Sequence, residues 1–291
     1  MFTTRHLLSF FVPAFVLLQT GCSPRAVREA QEVVAEADRL HIEGQAFTDS
    51  VAIAEAYNTL EKWQYVYPTD YAHACYHYGR LLRNNDDPVA AMQVFINATH
   101  SNTRDYHILG RNYSNMGSIC HLAGEYQLSY DMYSSSADMF LQNGDTLLYY
   151  YGLNSMAFET AELEKKEVTL NILTEIRKEC TDKYALSKTW ETEADAYLRV
   201  HHYDSALYCA QQSIILGNTE PTCLIIKAQA YSKIGIKDSA LYYANLILEY
   251  PSASYQNIFN ALYIVSNLDS TLCSDDVRVF NSKREDIRYY V

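Results

Sequence analysis

Small and apolar residues recur along this chain with one spacing, and polar residues fill the positions between them. A small residue is followed by another after twelve positions, by an apolar or small residue after four more, and by a further one after three. Copies of the pattern begin at Gly79 and Gly117 and, in weaker form, at Gly44, Ala157, Ala194 and Ala228. In chain order the starting residues are 35, 38, 40, 37 and 34 positions apart. A period of this length is typical of stacked helix pairs, so the pattern predicts an all-α chain.

Close packing between two antiparallel helices explains why the pattern contains small residues. Where the helix axes come nearest, a large side chain would hold the helices apart. Gly79 and Ala91 are small at the expected crossing, and larger residues such as Cys75 and Leu82 flank it at helical offsets. One pair cannot bury its apolar face alone, so we expect each pair to stack on its neighbours.

Capping signals place several helix boundaries. Asp49 and Asp87 stand where an N-cap is expected, and Asp87 is followed by Pro88 at the first helical position. We expect helices over 28–41, 51–66 and 255–268, with Pro68 ending the second and with Asp204 and Asp238 capping two later helices. The helix over 255–268 has no complete partner, as is typical of the end of a helical stack.

Two copies of the pattern resemble the tetratricopeptide repeat (TPR) family. The best is Trp190, Ala194, Tyr197, Ala206 and Ala210, and the next is Leu224, Ala228, Tyr231, Gly235, Ala240, Ala244 and Pro251. The copy at Ala157 departs from the family, since Thr169 and Leu173 stand where alanine and an aromatic residue are usual. The resemblance covers residues 26–251. It implies a right-handed α-solenoid of about six TPR-like antiparallel helix pairs with a C-terminal capping helix; an ordinary helical bundle, the alternative, would not keep such a period.

The beginning of the chain resembles the signal peptide of a bacterial lipoprotein. Arg5 precedes an apolar run over 7–18, which is too short for a permanent transmembrane helix, and Gly21 stands directly before Cys22. The resemblance, which extends to TPR lipoproteins of the Bacteroidetes envelope, implies cleavage after Gly21 and lipidation (palmitate) of Cys22. It also implies a lipid-anchored protein that faces the periplasm, on either the inner or the outer membrane. Gln19 departs from the usual aliphatic residue, so a general secretory signal with an incidental cysteine stays open.

Composition and charge narrow the classes of partner. The chain has 291 residues and a formal net charge of −12. An acidic chain without a basic cluster is a poor nucleic-acid binder, because phosphate contacts dominate that affinity. The 26 tyrosines suit helix packing and, on a groove, contact with a partner at low entropic cost. We divide the chain into a lipoprotein signal peptide over 1–21, a TPR solenoid over 22–251, and a C-terminal capping helix with a charged helical tail over 252–291.

No motif indicates catalysis or metal binding. His73 and His77 have the spacing of a helical zinc site, but no glutamate base lies between them. His201 and His202, with Asp204, belong to an expected turn between two helices. The sequence contains no Gly-x-Ser-x-Gly elbow and no glycine-rich phosphate loop. We therefore expect no enzyme activity, no metal and no cofactor.

The candidate binding face follows from the phase of the repeat. In TPR proteins the first helix of each pair lines the concave face, and its outward residues here form the candidate site. They are His73, Tyr76, Arg80, Arg83, Arg111, Ser114, His121, Tyr151, Asn154, Phe158, Lys188, Glu191 and Asp195. Basic groups dominate its first half and acids follow, so an extended peptide or an acidic tail could lie along Arg80, Arg83 and Arg111. The alternative is that these are solvated side chains of helix faces.

Three functions remain after these exclusions. The leading one is a non-enzymatic, lipid-anchored TPR scaffold or adaptor of the bacterial cell envelope that binds a protein or peptide partner, and neither nucleic acid nor a small molecule. The first alternative is the periplasmic sensory half, or a truncated relative, of a TPR-containing signalling or transcriptional regulator. The second is a glycan-binding nutrient-uptake lipoprotein, although the large insertions that build a sugar site in such proteins are not visible.

Overall fold

A computed structural model describes residues 24–251 and 253–268, and every regular element in these residues is an α-helix. The helices are α1 (Arg25–Ile42), α2 (Ser50–Glu61), α3 (Pro68–Asn84), α4 (Pro88–Thr99), α5 (Tyr106–Leu122), α6 (Tyr126–Asn143), α7 (Thr146–Glu162), α8 (Lys166–Glu179), α9 (Lys183–Arg199), α10 (Tyr203–Ile215), α11 (Pro221–Ile234), α12 (Lys237–Leu248) and α13 (Tyr255–Leu268). We call α1, α3, α5, α7, α9 and α11 the first helices and the helix after each one its second helix. None of the described helices is both long and apolar enough to cross a membrane.

The chain divides into two compact units. Of the described residues, unit 1 comprises those up to Ala123 together with Asp138–Gly144, and unit 2 comprises Gly124–Ala137 together with those from Asp145. In unit 1, α1 packs on α2, α3 on α4, and each of these second helices on the next first helix. In unit 2 the same order holds from α7 to α12, and α13 packs on α12 and α11. Successive first helices also touch one another in both units. The predicted all-α solenoid of stacked helix pairs is confirmed.

Glycines on the first helices permit the closest contacts in unit 1. A Cβ added at Gly79 would lie 2.4 Å from Cε1 of Phe95, which is fully buried. A Cβ at Gly110 would lie 2.7 Å from Cε1 of Phe140. Gly79 therefore lies at a close approach of α3 and α4, as the repeat predicts, and the ring that fills the space is the third residue of the same copy. The contact at Gly110 was not predicted.

A residue with a left-handed backbone reverses the chain between the helices of five pairs. These residues are Asp86, Gly124, Glu164, His201 and Gly235, with φ values of 59, 77, 57, 62 and 83°. Each lies seven positions after the start of a copy of the repeat. The period thus fixes both the small residue on the first helix and the turn that follows it.

The prediction that a copy of the repeat begins at Gly44 is wrong. Gly44 does not lie on a helix; it has a φ of 72° in the turn after α1. On the second helix of this pair, the buried residues Ile53, Tyr57 and Leu60 have the four-and-three spacing of the repeat. They begin three positions earlier than the copy at Gly44 predicts. The degenerate copy at Ala157 is in register, because Ala157 and the matching residues of α8 are fully buried.

Helix boundaries agree with the sequence in part. Asp49 and Asp87 are N-caps, accepting from the backbone N–H groups of Ala52 and Ala90 at 2.9 and 3.0 Å, and α13 has the predicted limits. The prediction that Pro68 ends a helix over 51–66 is wrong, because α2 ends at Glu61 and Pro68 begins α3.

Asp204 and Asp238 do not cap their helices. The N-cap residues are His202 and Ile236, and each aspartate lies in the first helical turn, where its charge still favours the helix dipole. The predicted signal peptide over 1–21, the lipidated Cys22 and the charged tail after residue 268 lie outside the described residues.

The turn geometry gives a stability prediction in unit 2. A left-handed backbone is unfavourable for any residue with a Cβ, so we expect Glu164→Gly to raise the free energy of unfolding by about 1 kcal/mol and Gly235→Ala to lower it by a similar amount. Glu164 is exposed, and a Cβ at Gly235 would meet no atom within 4 Å, so both effects are conformational. Urea unfolding followed by circular dichroism measures them.

Glu164→Ala is the matched control, since it removes the same side chain and keeps the Cβ. We expect it to lack the gain of the glycine variant. Equal stability of the alanine and glycine variants would contradict the conformational explanation.

Candidate partner-binding site on the first helices

All of the predicted face residues lie on first helices. Helix α3 carries His73, Tyr76, Arg80 and Arg83; α5 carries Arg111, Ser114 and His121; α7 carries Tyr151, Asn154 and Phe158; and α9 carries Lys188, Glu191 and Asp195. The first seven belong to unit 1 and the other six to unit 2. Their role in binding stays a prediction, and their contacts differ strongly between the two units.

Four side chains from three first helices of unit 1 form what we call the Arg–His cluster: His41 of α1, Tyr76 and Arg80 of α3, and Arg111 of α5. Arg111 Nη1 lies 2.7 Å from His41 Nε2, and Arg80 Nη1 lies 3.0 Å from His41 Nδ1. The Tyr76 hydroxyl accepts hydrogen bonds from both guanidinium groups at 3.1 and 3.2 Å. The guanidinium carbons lie 5.2 and 5.7 Å from the centroid of the Tyr76 ring, within cation–π range.

The charges in the Arg–His cluster keep His41 neutral. Burial lowers the pKa of His41, and the positive charges of Arg80 and Arg111 lower it further, to about 4. At neutral pH the ring therefore has one N–H donor and one acceptor nitrogen. A guanidinium donor nevertheless faces each nitrogen, so one of the two contacts brings donor against donor.

Beside this cluster, Asp38 of α1, His73 and His77 of α3, and Asp105 form what we call the His–Asp chain. Asp38 Oδ1 lies 2.7 Å from His77 Nε2, and Asp105 Oδ2 lies 3.0 Å from His73 Nε2. His73 Nδ1 lies 2.8 Å from Asp38 Oδ2 as an ion pair, although its geometry is not that of a hydrogen bond. Asp105 is also the N-cap of α5, since its Oδ1 accepts from the N–H of Ile108 at 3.0 Å. The chain thus joins α1, α3 and α5.

Opposite charges set the pKa values in the His–Asp chain. Burial alone would lower the pKa of His73, but the adjacent carboxylates of Asp38 and Asp105 outweigh it and raise that pKa above its usual value. Burial would likewise raise the pKa of Asp38 and of Asp105, but the histidine contacts hold both pKa values below the usual range. Two carboxylates around one imidazole require both ring nitrogens to be protonated. Within the described residues, no group of three or more His, Cys, Asp or Glu side chains is arranged to hold a metal ion.

Two residues of the predicted face are buried, contrary to the expectation that they point outward. Tyr76 is 4% exposed and forms the floor of the Arg–His cluster. Asn154 is 7% exposed, and its side chain donates to the backbone carbonyl of Ala185 at 3.4 Å, which links α7 to α9. The phase of the repeat placed both on the correct helix but did not account for the next first helix covering them.

Other predicted residues lie at the edge of these contacts. Arg83 donates to the side-chain oxygen of Asn115 at 2.9 Å, and Ser114 and His121 are half-buried on α5. Tyr151 is half-buried and meets the ring of Tyr184 edge to face, with centroids 6.0 Å apart.

Lys188 and Arg199, two cations on a first helix of unit 2, are each paired with carboxylates. Lys188 Nζ lies 2.5 Å from a carboxylate oxygen of Glu220 and 3.2 Å from Glu191. Arg199 pairs with Asp195 at 2.6 Å and with Glu162, another residue of a first helix, at 2.7 Å. Each cation thus lies between two carboxylates, and the face of unit 2 is acidic overall.

Two cavities lie along this acidic face. The larger, of about 470 Å³, is lined by Phe158, Glu191 and Asp195 together with side chains of α11 and α13. The smaller, of about 350 Å³, lies between Arg199, Tyr203 and Tyr263. Three of the predicted face residues of unit 2 therefore line one cavity.

The sequence did not identify Asp38, His41 or Asp105 as members of the site. The missing signal was the period itself. Asp38 precedes His73, and His41 precedes Tyr76, by 35 residues, and Asp105 follows His73 by 32. Polar residues about one period apart lie at neighbouring first helices and can contact each other. A search of the sequence for complementary polar pairs at that separation would therefore have identified these contacts.

The comparisons with known proteins agree with the geometry of the fold. No protein-family model matches the chain, and no curated protein matches it. A solved structure from the functional characterisation of Pseudomonas aeruginosa pilF matches with a TM-score of 0.52 and 15% sequence identity, covering 78% of this chain and 95% of that chain. PilF is a TPR-containing protein. At this identity the match shows the fold alone, and the fold of this chain is TPR-like.

The His–Asp chain gives a prediction for the pH dependence of stability. The lowered pKa of Asp38 contributes stability that is present above about pH 4 and lost as the pH falls, and the raised pKa of His73 contributes stability that is present below about pH 6.5 and lost as the pH rises. We expect Asp38→Asn to lower the free energy of unfolding by about 2 kcal/mol at pH 6 and by less at pH 9. Urea unfolding at the two pH values measures the difference.

Asp70→Asn is the control for this experiment, because Asp70 bonds the neutral side chain of Gln31 at 2.6 Å. Its effect should be the same at both pH values. A loss for Asp38→Asn that is equal at pH 6 and pH 9 would show that the histidine charge does not contribute.

Proposed function

We propose that this protein is a non-enzymatic, lipid-anchored scaffold of the bacterial envelope that holds a protein or peptide partner on the faces of its first helices. The TPR-like fold supports a role in protein interaction. The observation that carries the proposal is the Arg–His cluster. Arg80 and Arg111 have no carboxylate partner within the described residues, whereas Lys188 and Arg199 of unit 2 are each paired with two carboxylates.

The contrast between the units supports two kinds of contact with a partner. On unit 1 a ligand would meet unneutralised positive charge over an aromatic floor. On unit 2 it would meet an acidic face with a cavity of about 470 Å³. An acidic group of a ligand suits the surface of unit 1, and a basic group suits the surface of unit 2.

The use of the histidines supports a non-enzymatic role. Both ring nitrogens of His73 face carboxylates, and the ring is held between α1 and α5. His41 is neutral and lies between two guanidinium groups. In both cases the imidazole connects neighbouring first helices, which supports a structural use of these rings.

The proposed anchor rests on the sequence around Cys22. The apolar run over 7–18 and Gly21 directly before Cys22 resemble the signal peptide of a bacterial lipoprotein, with Gln19 as a departure from the usual pattern. A lipidated cysteine with several acyl chains would hold the protein stably at a membrane, because one chain alone binds only marginally.

Photo-cross-linking in cells tests the partner-binding face. A photoreactive amino acid at Ser114, which is half-buried on α5, should capture a protein partner. The same group at Val89, which is 80% exposed on the second helix α4, should capture much less of it. Mass spectrometry of the cross-linked species measures both yields. Equal yields at the two positions, or no captured protein at either, would contradict the proposed face.

Metabolic labelling tests the proposed anchor separately. The wild-type chain should incorporate a fatty-acid analogue and fractionate with membranes, and Cys22→Ser should lose both properties. Cys273→Ser is the control for cysteine labelling elsewhere and should keep both. A label that persists in Cys22→Ser would refute lipidation at this residue.

A further inference from the structure

The Arg–His cluster has more hydrogen-bond donors than acceptors. Each guanidinium is a fork of N–H donors with no acceptor, whereas the cluster offers one nitrogen of neutral His41 and the hydroxyl oxygen of Tyr76. His107 accepts from Arg111 Nε at 2.6 Å. Nη2 of both arginines and Nε of Arg80 make no hydrogen bond within the described residues. These donors are not among the buried atoms that lack a partner, so they are open to acceptor atoms from outside the cluster.

Other arginines of the chain show what a satisfied guanidinium looks like here. Arg39, on the same helix as His41, bonds Glu36 at 2.6 Å and Glu43 at 2.7 Å. Arg177 bonds the carboxylate of Glu193. Arg80 and Arg111 instead both contact the neutral imidazole of His41, and their positive charges repel each other.

The position of the cluster leaves room for a ligand. Arg80, Arg111 and His41 are half-buried, so each is still open to solvent on one side. Tyr76 lies beneath them and is almost fully buried. The cation–π contacts with its ring hold both guanidinium groups in place, which lowers the entropic cost of binding an anion between them.

We propose that Arg80, Arg111, His41 and Tyr76 form an oxyanion site that takes a carboxylate or phosphoryl group. This proposal rests on the proposed function in one respect, namely that the carboxylate or phosphoryl group belongs to the peptide partner. An oxyanion supplies several acceptor atoms in one plane or tetrahedron, which fits guanidinium forks in a bidentate manner. It also offsets the two positive charges.

Binding of an oxyanion also changes the protonation of His41. Its surroundings are Asp38 on its own helix, His77 and Arg80 on α3, and Arg111 on α5. Neutralising the two arginines removes part of the repulsion that keeps the ring uncharged, so the pKa of His41 rises on binding. A structural role of the arginines alone would not produce this coupling.

Isothermal titration of the full-length protein with succinate and with inorganic phosphate, at constant ionic strength set by chloride, tests the site. We expect saturable binding of at least one of the two anions at one site per chain. Tighter binding of phosphate assigns a phosphoryl ligand, and tighter binding of succinate assigns carboxylates. Absence of saturable binding by either anion would overturn the proposal.

Variants locate the binding. Arg80→Gln and Arg111→Gln should each weaken the affinity at least about tenfold, because each removes a charge-assisted contact. Arg39→Gln, which removes an exposed and fully paired arginine of the same unit, should bind within about twofold of wild type. Equal affinity in wild type, Arg80→Gln and Arg111→Gln would overturn the proposal.

Two further measurements keep the test decisive if a glutamine variant misfolds. Arg80→Lys and Arg111→Lys keep the charge and lose the fork, so they should bind more weakly than wild type and more tightly than a glutamine variant. In histidine-labelled protein, the NMR signal that is absent from His41→Gln should titrate at a higher pH in the presence of the anion. A His41 signal that the anion leaves unchanged would overturn the site.

The outcomes separate this site from the proposed scaffold function. Anion binding at the cluster without any protein captured from position 114 would support the site and refute the scaffold. A protein captured equally by wild type, Arg80→Gln and Arg111→Gln would support the scaffold and overturn the oxyanion site as its contact.

Discussion

The two helices of each pair pack closely against each other, and the chain reverses direction between them. This constraint sets the sequence pattern that repeats along the chain. A small residue on the first helix permits the approach, as Gly79 does against the ring of Phe95. Seven positions later a residue with a left-handed backbone turns the chain, and it is glycine in only some of the pairs. The pair fixed in this way cannot cover its own apolar face, so stacking of neighbouring pairs supplies the rest of the core.

Stacking brings residues one period apart together, and most polar groups of the first helices are used there. Arg83 of α3 bonds Asn115 of α5. Thr69 of α3 bonds Thr103, which lies just before α5, and Lys188 of α9 pairs with Glu220, which lies just before α11. Such contacts align the pairs and leave little unpaired charge. Arg80 and Arg111 differ from Lys188 and Arg199 because they share the neutral imidazole of His41 and have no carboxylate partner within the described residues. Both guanidinium groups are half-buried, so they are still open to a ligand.

The fold was predictable because the constraint acts locally and repeats. The copies at Ala194 and Ala228 place buried alanines on both helices, and even the degenerate copy at Ala157 is in register. The copy at Gly44 failed because a glycine that serves a turn looks the same in sequence as a glycine that serves a helix contact. For the site, the sequence predicted which helices carry it but not which side chains contact one another. Which side chains meet depends on the sideways offset between neighbouring pairs, so Tyr76 and Asn154 were expected to be exposed and are buried.

Polar contacts align neighbouring first helices, and we propose that Arg80 and Arg111 are kept for a partner. A crystal structure of the protein grown in the presence of succinate tests this most directly. We expect a carboxylate of succinate within hydrogen-bond distance of both guanidinium groups, above the ring of Tyr76, with Arg39 still paired to its glutamates. Arg80 and Arg111 paired with carboxylates of their own chain, and no succinate between them, would contradict it.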